Sequence, residues 1–167
     1  MTDGRRKGQS YMLEVCALLG RWARKPYGTF QPRPTLVEPQ DGWTVKGDIS
    51  FPSSIGFPFV VECKKIEGWS LDALAEGRAK DISSWWVQCA RQAAATPGAW
   101  RNARPLLIFS RNRRKNYFAA RVSDLGWLGF HAAAPCLSLS LGGDRVMIGH
   151  LEDLISTTTP GSRETRP

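Results

Sequence analysis

Residues 57–65, with the sequence FPFVVECKK, constrain the fold of this chain more than any other stretch. They are rich in aromatic and β-branched residues, which favour a strand. The preceding residues 52–56, PSSIG, have the proline, serines and glycine that are typical of a turn, and residues 47–51 before them predict another strand. The pattern therefore predicts a β-hairpin that turns within residues 52–56.

One face of the predicted hairpin carries charged side chains. Successive side chains of a strand point to opposite faces, so Glu62 and Lys64 share one of them. If the turn centres near Ser54, Asp48 lies diagonal to Glu62, about 7–8 Å away at Cβ. That separation suits one hard cation such as Mg²⁺, which prefers oxygen ligands and keeps several waters beside one or two carboxylates. The charge of Lys64 could then orient or help deprotonate an attacking water and offset the negative charge on a phosphoryl group.

An acid on one strand followed by Glu-x-Lys on the next resembles the catalytic core of the PD-(D/E)XK nucleases. The resemblance implies that Asp48, Glu62 and Lys64 are catalytic and that Asp48 and Glu62 bind Mg²⁺, with Mn²⁺ able to substitute. It also implies an α/β, restriction-endonuclease-like core, which is a mixed β-sheet flanked by α-helices with the site at one sheet edge. The ordinary alternative for an acid-x-Lys match is a solvated strand edge.

The charge of the chain indicates its class of partner. A formal net charge of +8 and a pI of about 9.7 favour an anionic partner, with nucleic acid first and an anionic membrane surface second. There is no run of about 18 apolar residues and no signal-peptide core, so we expect a soluble cytoplasmic protein that does not use a membrane. The length predicts one domain over residues 1–155, followed by a flexible polar tail over residues 156–167.

Cysteine and histidine patterns argue against other chemistries. The four cysteines are far apart and form no C-x-x-C pair, which predicts buried reduced thiols. Two histidines offer little to a zinc site or a histidine-based nucleophile.

The N-terminal segment combines basic residues with a predicted helix that Ser10 caps and that ends near Arg24. In archaeal-type Holliday junction resolvases, a similar Arg-Lys-Gly precedes a helix that carries a further metal-binding glutamate. The resemblance offers Glu14 for this role, although the expected position holds Met12, so the alternatives are a missing acid and an exposed helix charge. The basic residues of the segment are DNA-binding candidates: Arg5, Arg6 and Lys7.

Three further acids or polar residues are candidates around the same site. The proline-rich residues 26–42 contain Glu38 and Asp41 as alternative acids. Residues 83–96 predict an Ala-rich helix, and nucleases of this superfamily place a glutamine on the helix after Glu-x-Lys. Gln88 is therefore a candidate for positioning water or phosphate, against the alternative of a polar surface residue that pairs with Gln92 at i, i+4. Lys65, next to the predicted metal, is a candidate substrate contact.

A second basic cluster follows residues 104–110, which predict a buried strand before another strand at residues 116–122. A guanidinium group can bind two phosphate oxygens at once, in a bidentate contact. Four cations between two strands therefore indicate a phosphate-binding loop, with an ordinary solvated loop as the alternative. Residues 105–119 also resemble the "RNR…Y" segment of phage-encoded resolvase-like proteins. Farther on, a late hairpin is predicted around residues 142–144. The loop cations are Arg111, Arg113, Arg114 and Lys115.

These patterns lead to one hypothesis and two rivals. The hypothesis is a Mg²⁺-dependent endonuclease that resembles archaeal or phage Holliday junction resolvases, acts on four-way junction DNA and works as a homodimer. The first rival is a phage recombination or restriction-type nuclease that cuts duplex or single-stranded DNA. The second, from a different class, is a DNA-binding module on the same fold that has lost catalysis.

Overall fold

The computed structural model describes residues 3–33, 46–78, 80–96, 103–133 and 135–160. Its helices are α1 (Asp3–Trp22), α2 (Leu71–Ala75), α3 (Lys80–Ala94), α4 (Val122–Leu128) and α5 (Leu151–Thr157). Its strands are β1 (Gln31–Pro32), β2 (Ile49–Ser50), β3 (Phe59–Lys65), β4 (Arg104–Ser110), β5 (Tyr117–Arg121), β6 (Leu137–Leu141) and β7 (Asp144–His150).

The main sheet has five strands in the order β3-β4-β5-β7-β6. β3 and β4 are parallel, because α2 and α3 connect them, and the remaining pairs are antiparallel. The sheet is therefore mixed, with β3 at one edge, and helices cover it. The expected α/β, restriction-endonuclease-like architecture is confirmed.

Two apolar cores lie on the two faces of this sheet. Alternation along β4 sends Leu106 and Ile108 to the face covered by α1, α4 and α5, and Leu107 and Phe109 to the face covered by α2 and α3. All four side chains are fully buried. β3 divides in the same way, which turns Glu62 toward α3 while Val61 and Cys63 pack under α1.

Aromatic packing fixes the region that precedes β3. Phe57 contacts Trp22, Phe30, Phe51 and Phe59, with ring centroids 5.0–5.6 Å apart. Such edge-on pairs add to the burial of large apolar surface. The end of α1, the loop after it and β2 are thereby held against the start of β3.

The predicted β-hairpin between residues 47–51 and 57–64 is wrong. β2 pairs with β1, in the register Gln31↔Ser50, and forms a separate two-stranded sheet. The link between β2 and β3 is a short 3₁₀ helix, Ser53–Ile55. Packing of Phe51 on Phe57, rather than a ladder of backbone hydrogen bonds, closes this link. Asp48 nevertheless reaches β3 through its backbone, as described below.

Other boundaries differ by smaller amounts. α1 begins at Asp3, so Ser10 lies inside the helix and does not cap it. Its first residues are polar and include two glycines, and they carry no apolar periodicity that would have indicated a helix. β4 has the predicted bounds, and α3 begins three residues before the predicted start. The late hairpin of β6 and β7 is confirmed.

α5 and Thr158 pack on α1. α5 continues through Thr157, and Trp22 Nε1 donates to the hydroxyl of buried Thr158 at 3.0 Å. The predicted domain end and tail remain predictions, since residues 161–167 lie outside the described part of the chain. Glu38 and Asp41 lie outside it as well.

The cysteines are free thiols, as expected, and Cys16, Cys63 and Cys89 are buried while Cys136 is half-buried. In the described residues, no helix has both the length and the apolar character needed to cross a membrane.

Candidate active site

The Glu62 carboxylate is the buried centre of the polar residues at the sheet edge. It is only 1% exposed, because β3 presents it to the helix α3. Lys64 Nζ and Gln88 Nε2 both donate to Glu62 Oε1, each at 2.7 Å. Glu62 Oε2 is buried and has no hydrogen-bond partner within the described structure. One carboxylate oxygen is therefore held by two donors, and the other is left for a further ligand.

Burial raises the pKa of Glu62 above its ordinary value, and the nearby Asp48 carboxylate raises it further. The Lys64 ammonium opposes both effects, and the Gln92 amide also lowers this pKa. Two carboxylates that repel each other, one of them buried, form a site that favours added positive charge.

Asp48 is fixed against the outer edge of β3. Its backbone N–H donates to the Val61 carbonyl at 2.7 Å, and its Oδ2 accepts from the Cys63 N–H at 2.8 Å. Gly47, just before it, has φ of 82° and approaches so closely that an added Cβ would lie 2.5 Å from the Val61 oxygen. Only glycine fits this approach, so Gly47 allows the Asp48 carboxylate to stand beside Glu62.

Two side chains hold the Gly47 backbone in place. Gln92 Oε1 accepts from the Gly47 N–H at 2.9 Å, and Arg33 Nε donates to the Gly47 carbonyl at 2.7 Å. Sequence reasoning noted Gln92 only as a partner of Gln88 at i, i+4. That spacing was the available signal, since it places both amides on the face of α3 that meets β3.

The structure thus brings together Asp48, Glu62, Lys64 and Gln88, and it places Glu14 elsewhere on the same end of the sheet. Glu14 is exposed on α1, and its Oε1 accepts from Asn116 Nδ2 at 2.9 Å. Within the described residues, no group of three or more acids, histidines or cysteines is arranged to hold a metal. The assignment of Glu14 as a site residue stays a prediction.

Lys65 points away from Glu62 and toward α1. Its Nζ lies 5.1 Å from the centroid of the Tyr11 ring. Tyr11 is on α1, about one helical turn before Glu14. The Tyr11 hydroxyl is buried without a described partner, and burial raises its pKa well above the ordinary value. Lys65 is half-buried on the α1 side of β3, and its contact with DNA stays a prediction.

The basic connection between β4 and β5, residues 111–115, lies beside the end of β3. Parallel pairing aligns Lys65 with Ser110, which immediately precedes this basic loop. The Ser110 hydroxyl is 3.1–3.2 Å from three loop carbonyl oxygens, those of Arg111, Arg114 and Lys115, and it can donate to one at a time. The Asn112 N–H donates to Glu67 Oε1 at 2.6 Å. The backbone of the loop is therefore well fixed.

The cations of the basic loop are not equivalent. Arg111 Nη1 donates to the Trp69 carbonyl at 3.1 Å, and its guanidinium lies 5.5 Å from the Trp69 ring centroid. Arg113, Arg114 and Lys115 are exposed. On α1, Arg6 and Lys7 are also exposed, and the Arg5 side chain lies outside the described part. Phosphate binding by all of these residues stays a prediction.

The carboxylate pair fits the divalent cation that the resemblance implies. The buried and unpartnered Glu62 Oε2 needs a positive ligand, and the neighbouring Asp48 carboxylate supplies a second hard oxygen donor. A pair of carboxylates is enough for Mg²⁺, which keeps most of its shell as water and substrate oxygens.

A mixed α/β sheet whose edge strand carries Glu-x-Lys, with an aspartate clamped beside it, defines the class of PD-(D/E)XK nucleases. The chain matches the family described as "Phage putative PDDEXK endonuclease" over residues 3–138. It belongs to this family. No curated protein and no solved structure matches it significantly.

Proposed function

We propose that the protein is a Mg²⁺-dependent, structure-selective DNA endonuclease that resolves four-way junctions as a homodimer. The finding that carries the proposal furthest is the Glu62 carboxylate, buried with an unpartnered oxygen beside Asp48 and Lys64. A binding module that only contacts phosphates has no use for two mutually repelling carboxylates. A hydrolase that binds a cation at this place requires them.

The residues of the chain have separate tasks in this proposal. Asp48 and Glu62 hold the cation, which when bound polarises a phosphoryl oxygen and lowers the pKa of a bound water. Lys64 orients the attacking water. As the oxygen of this water bonds to phosphorus and a phosphorus–oxygen ester bond breaks, the Lys64 ammonium offsets the negative charge that develops on the phosphoryl group. Gln88 keeps the Glu62 carboxylate in its rotamer by donating to Oε1. The attacking water releases its proton to solvent, and the leaving alcohol oxygen takes a proton from solvent.

Phosphate contacts explain affinity but not selectivity for branched DNA. The basic loop can bind phosphates of any sequence, because guanidinium and ammonium groups read charge rather than bases. Resolution of a junction requires two symmetric cuts, and one Asp48/Glu62/Lys64 set cuts one strand at a time. A two-fold pair of chains supplies the two cuts most simply.

The described tryptophans give no support to a self-interface. Trp22, Trp69, Trp85 and Trp86 are buried in the two cores, and Trp127 lies under the Arg104 guanidinium at 4.1 Å. The described tryptophans are therefore used within one chain. The homodimer rests on the two-cut argument alone.

The test uses purified protein with labelled four-way junction, flap, duplex and single-stranded DNA, in Mg²⁺, Mn²⁺ or EDTA, together with light scattering of the free and junction-bound protein. The proposal expects cleavage in either metal, none in EDTA, a higher rate on the junction than on a matched duplex, and a dimer on the junction. Equal rates, or an active monomer, would remove junction resolution and leave a recombination or restriction-type nuclease. DNA binding without cleavage in any metal would indicate the non-catalytic module.

A further inference from the structure

A groove of about 970 Å³ runs between α1 and the loop that follows it, away from the carboxylate pair. One wall is the outer face of α1, and the other is the turn at residues 25–33. Its floor is apolar and includes Leu13, which is half exposed, and Phe30, which belongs to the aromatic core. A volume of this size lies near the upper end of the range of about 300–1,000 Å³ for small-molecule pockets.

The rim of the groove is basic and carries an exposed aromatic ring. Arg21, Lys25 and Arg33 line it, and among the described lining residues none is acidic. Tyr27 is 94% exposed. An exposed aromatic ring beside a basic rim can stack on a nucleic-acid base.

Hydrogen bonds of Arg33, on the rim of the groove, link the groove to the candidate active site. Arg33 N–H donates to the Asp48 carbonyl at 2.8 Å, and Arg33 Nε donates to the Gly47 carbonyl at 2.7 Å. Gly47 and Asp48 form the segment that places the Asp48 carboxylate at the edge of β3. A ligand in the groove therefore lies next to the segment that positions the cation ligand.

We infer that this groove binds unpaired bases of the DNA substrate, with Tyr27 stacking on a base and Arg21, Lys25 and Arg33 contacting the neighbouring phosphates. An apolar floor accommodates bases but not phosphates, and in a duplex the base faces are already stacked and inaccessible. The occupant that matches apolar floor, basic rim and exposed ring together is single-stranded DNA. This inference rests on the proposed function only in taking DNA as the substrate.

Binding is measured in EDTA, so that no DNA is cut, with a short fluorescent oligothymidylate and with a duplex of the same length. Tyr27→Ala should weaken binding to oligothymidylate by about tenfold, within a range of ~5- to ~100-fold for the loss of one stacked base, and change duplex binding by less than about twofold. Tyr27→Phe keeps the ring and should bind oligothymidylate like the unaltered protein.

The cations are tested by the pair Arg21→Ala with Lys25→Ala, which should flatten the salt dependence of oligothymidylate binding by about 0.7 per lost phosphate contact. Arg145→Ala is the matched control. Arg145 is exposed on β7, which is separated from β3 by β4 and β5, and it does not line the groove. Circular dichroism of each variant shows that the fold is kept.

Three results would overturn the inference. Equal weakening on single strand and duplex would make Tyr27 a general DNA contact. Unchanged affinity of Tyr27→Ala for oligothymidylate would exclude the groove as a base site. Loss of self-association without loss of DNA affinity would show that a second copy of the chain occupies it.

The outcome is separable from that of the nuclease proposal. If the unaltered protein cuts DNA in Mg²⁺ but Tyr27→Ala binds oligothymidylate normally, the groove inference fails and the nuclease stands. If no DNA is cut but Tyr27 is needed for oligothymidylate binding, the nuclease fails and the groove stands.

Discussion

The carboxylate edge, which consists of Asp48, Glu62 and Lys64 at β3, and the basic loop, residues 111–115, lie at the same end of the sheet. The two regions are built in opposite ways. At the edge, Glu62 is buried, and its oxygen is held by donors from β3 and α3. In the loop, the backbone is fixed through Ser110 and Glu67, while Arg113, Arg114 and Lys115 extend into solvent. Cation binding and phosphoryl transfer need a fixed geometry, whereas attraction of a DNA backbone needs charge at roughly the right place. In the proposed function, the edge carries out the chemistry and the loop supplies affinity for DNA.

The largest expected effect comes from removing one carboxylate charge at the edge. Glu62→Gln or Asp48→Asn should lower the cleavage rate by ~10³-fold or more, because each removes a carboxylate that the proposed function assigns to cation binding. DNA binding should stay equal or become tighter, since a charge that repels phosphate is lost. Asp72→Asn, an exposed carboxylate on α2, is the control and should cut normally. Cleavage within about tenfold of the unaltered protein in either site variant would refute the assignment.

Lys64→Ala should lower the cleavage rate at saturating DNA by roughly 10²-fold or more, because its ammonium lies beside the Glu62 carboxylate and, in the proposed function, offsets the developing charge. The neighbouring Lys65→Ala is a matched control, since its side chain packs on Tyr11 on the opposite face of β3. Lys65→Ala should change affinity but not the rate at saturation. Equal loss in the two variants would mean that Lys64 acts only as a positive charge near DNA.

Neutralising Arg113, Arg114 and Lys115 together should weaken binding to every DNA shape and flatten its salt dependence by about 0.9 per lost phosphate contact. Adding Arg111→Ala to this set should flatten the dependence little further, because its guanidinium already binds the Trp69 carbonyl. Arg111→Ala alone should instead lower the melting temperature. An unchanged salt slope in the triple variant would exclude the loop as a DNA contact.

The smallest expected effect is on stability, and it has the opposite sign to the effect on activity. The pKa of Glu62 is raised in the folded state, so Glu62 stabilises the folded state at pH values below the pKa that it has in the unfolded chain. This stabilisation is lost as the pH rises through the folded-state pKa. Glu62→Gln stays neutral, so it should raise the free energy of unfolding at mildly alkaline pH and raise it less at mildly acidic pH.

Urea unfolding in EDTA at both pH values checks this expectation. The ion pair with Lys64 opposes it, but Lys64 is partly exposed and can turn to solvent when the carboxylate is removed. A loss of stability at alkaline pH would show that the Lys64 ion pair outweighs the cost of burying Glu62.

Sequence reasoning succeeded where a signal was local and failed where a contact was distant. The apolar run of β4 predicted its bounds, and alternation along β3 placed Glu62 and Lys64 on one face. The pairing of β2 with β1 was missed, because β1 is two residues long and lies in a proline-rich segment without periodicity. The hydrogen bond between Gly47 and Gln92 joins residues 45 positions apart, and the i, i+4 spacing of Gln88 and Gln92 indicates a shared helix face but not this partner.

Charge patterns identified the basic loop but could not divide its cations. Arg111 and Arg113 are equivalent in the sequence, yet one is bound to Trp69 and the other extends into solvent. The difference depends on Trp69 being buried under β4 and β5, beside Phe109 and Tyr117, which is a property of the whole fold.

The most direct test of the division between edge and loop is single-turnover cleavage of a labelled four-way junction in Mg²⁺, at protein concentrations that saturate the DNA for each variant. Saturation removes affinity from the comparison and leaves the chemical step. Glu62→Gln should be inactive although it binds, and the triple variant of Arg113, Arg114 and Lys115 should cut within about threefold of the unaltered protein once saturated. A triple variant that binds fully but cuts as poorly as Glu62→Gln would contradict the account, because the loop would then take part in the chemistry.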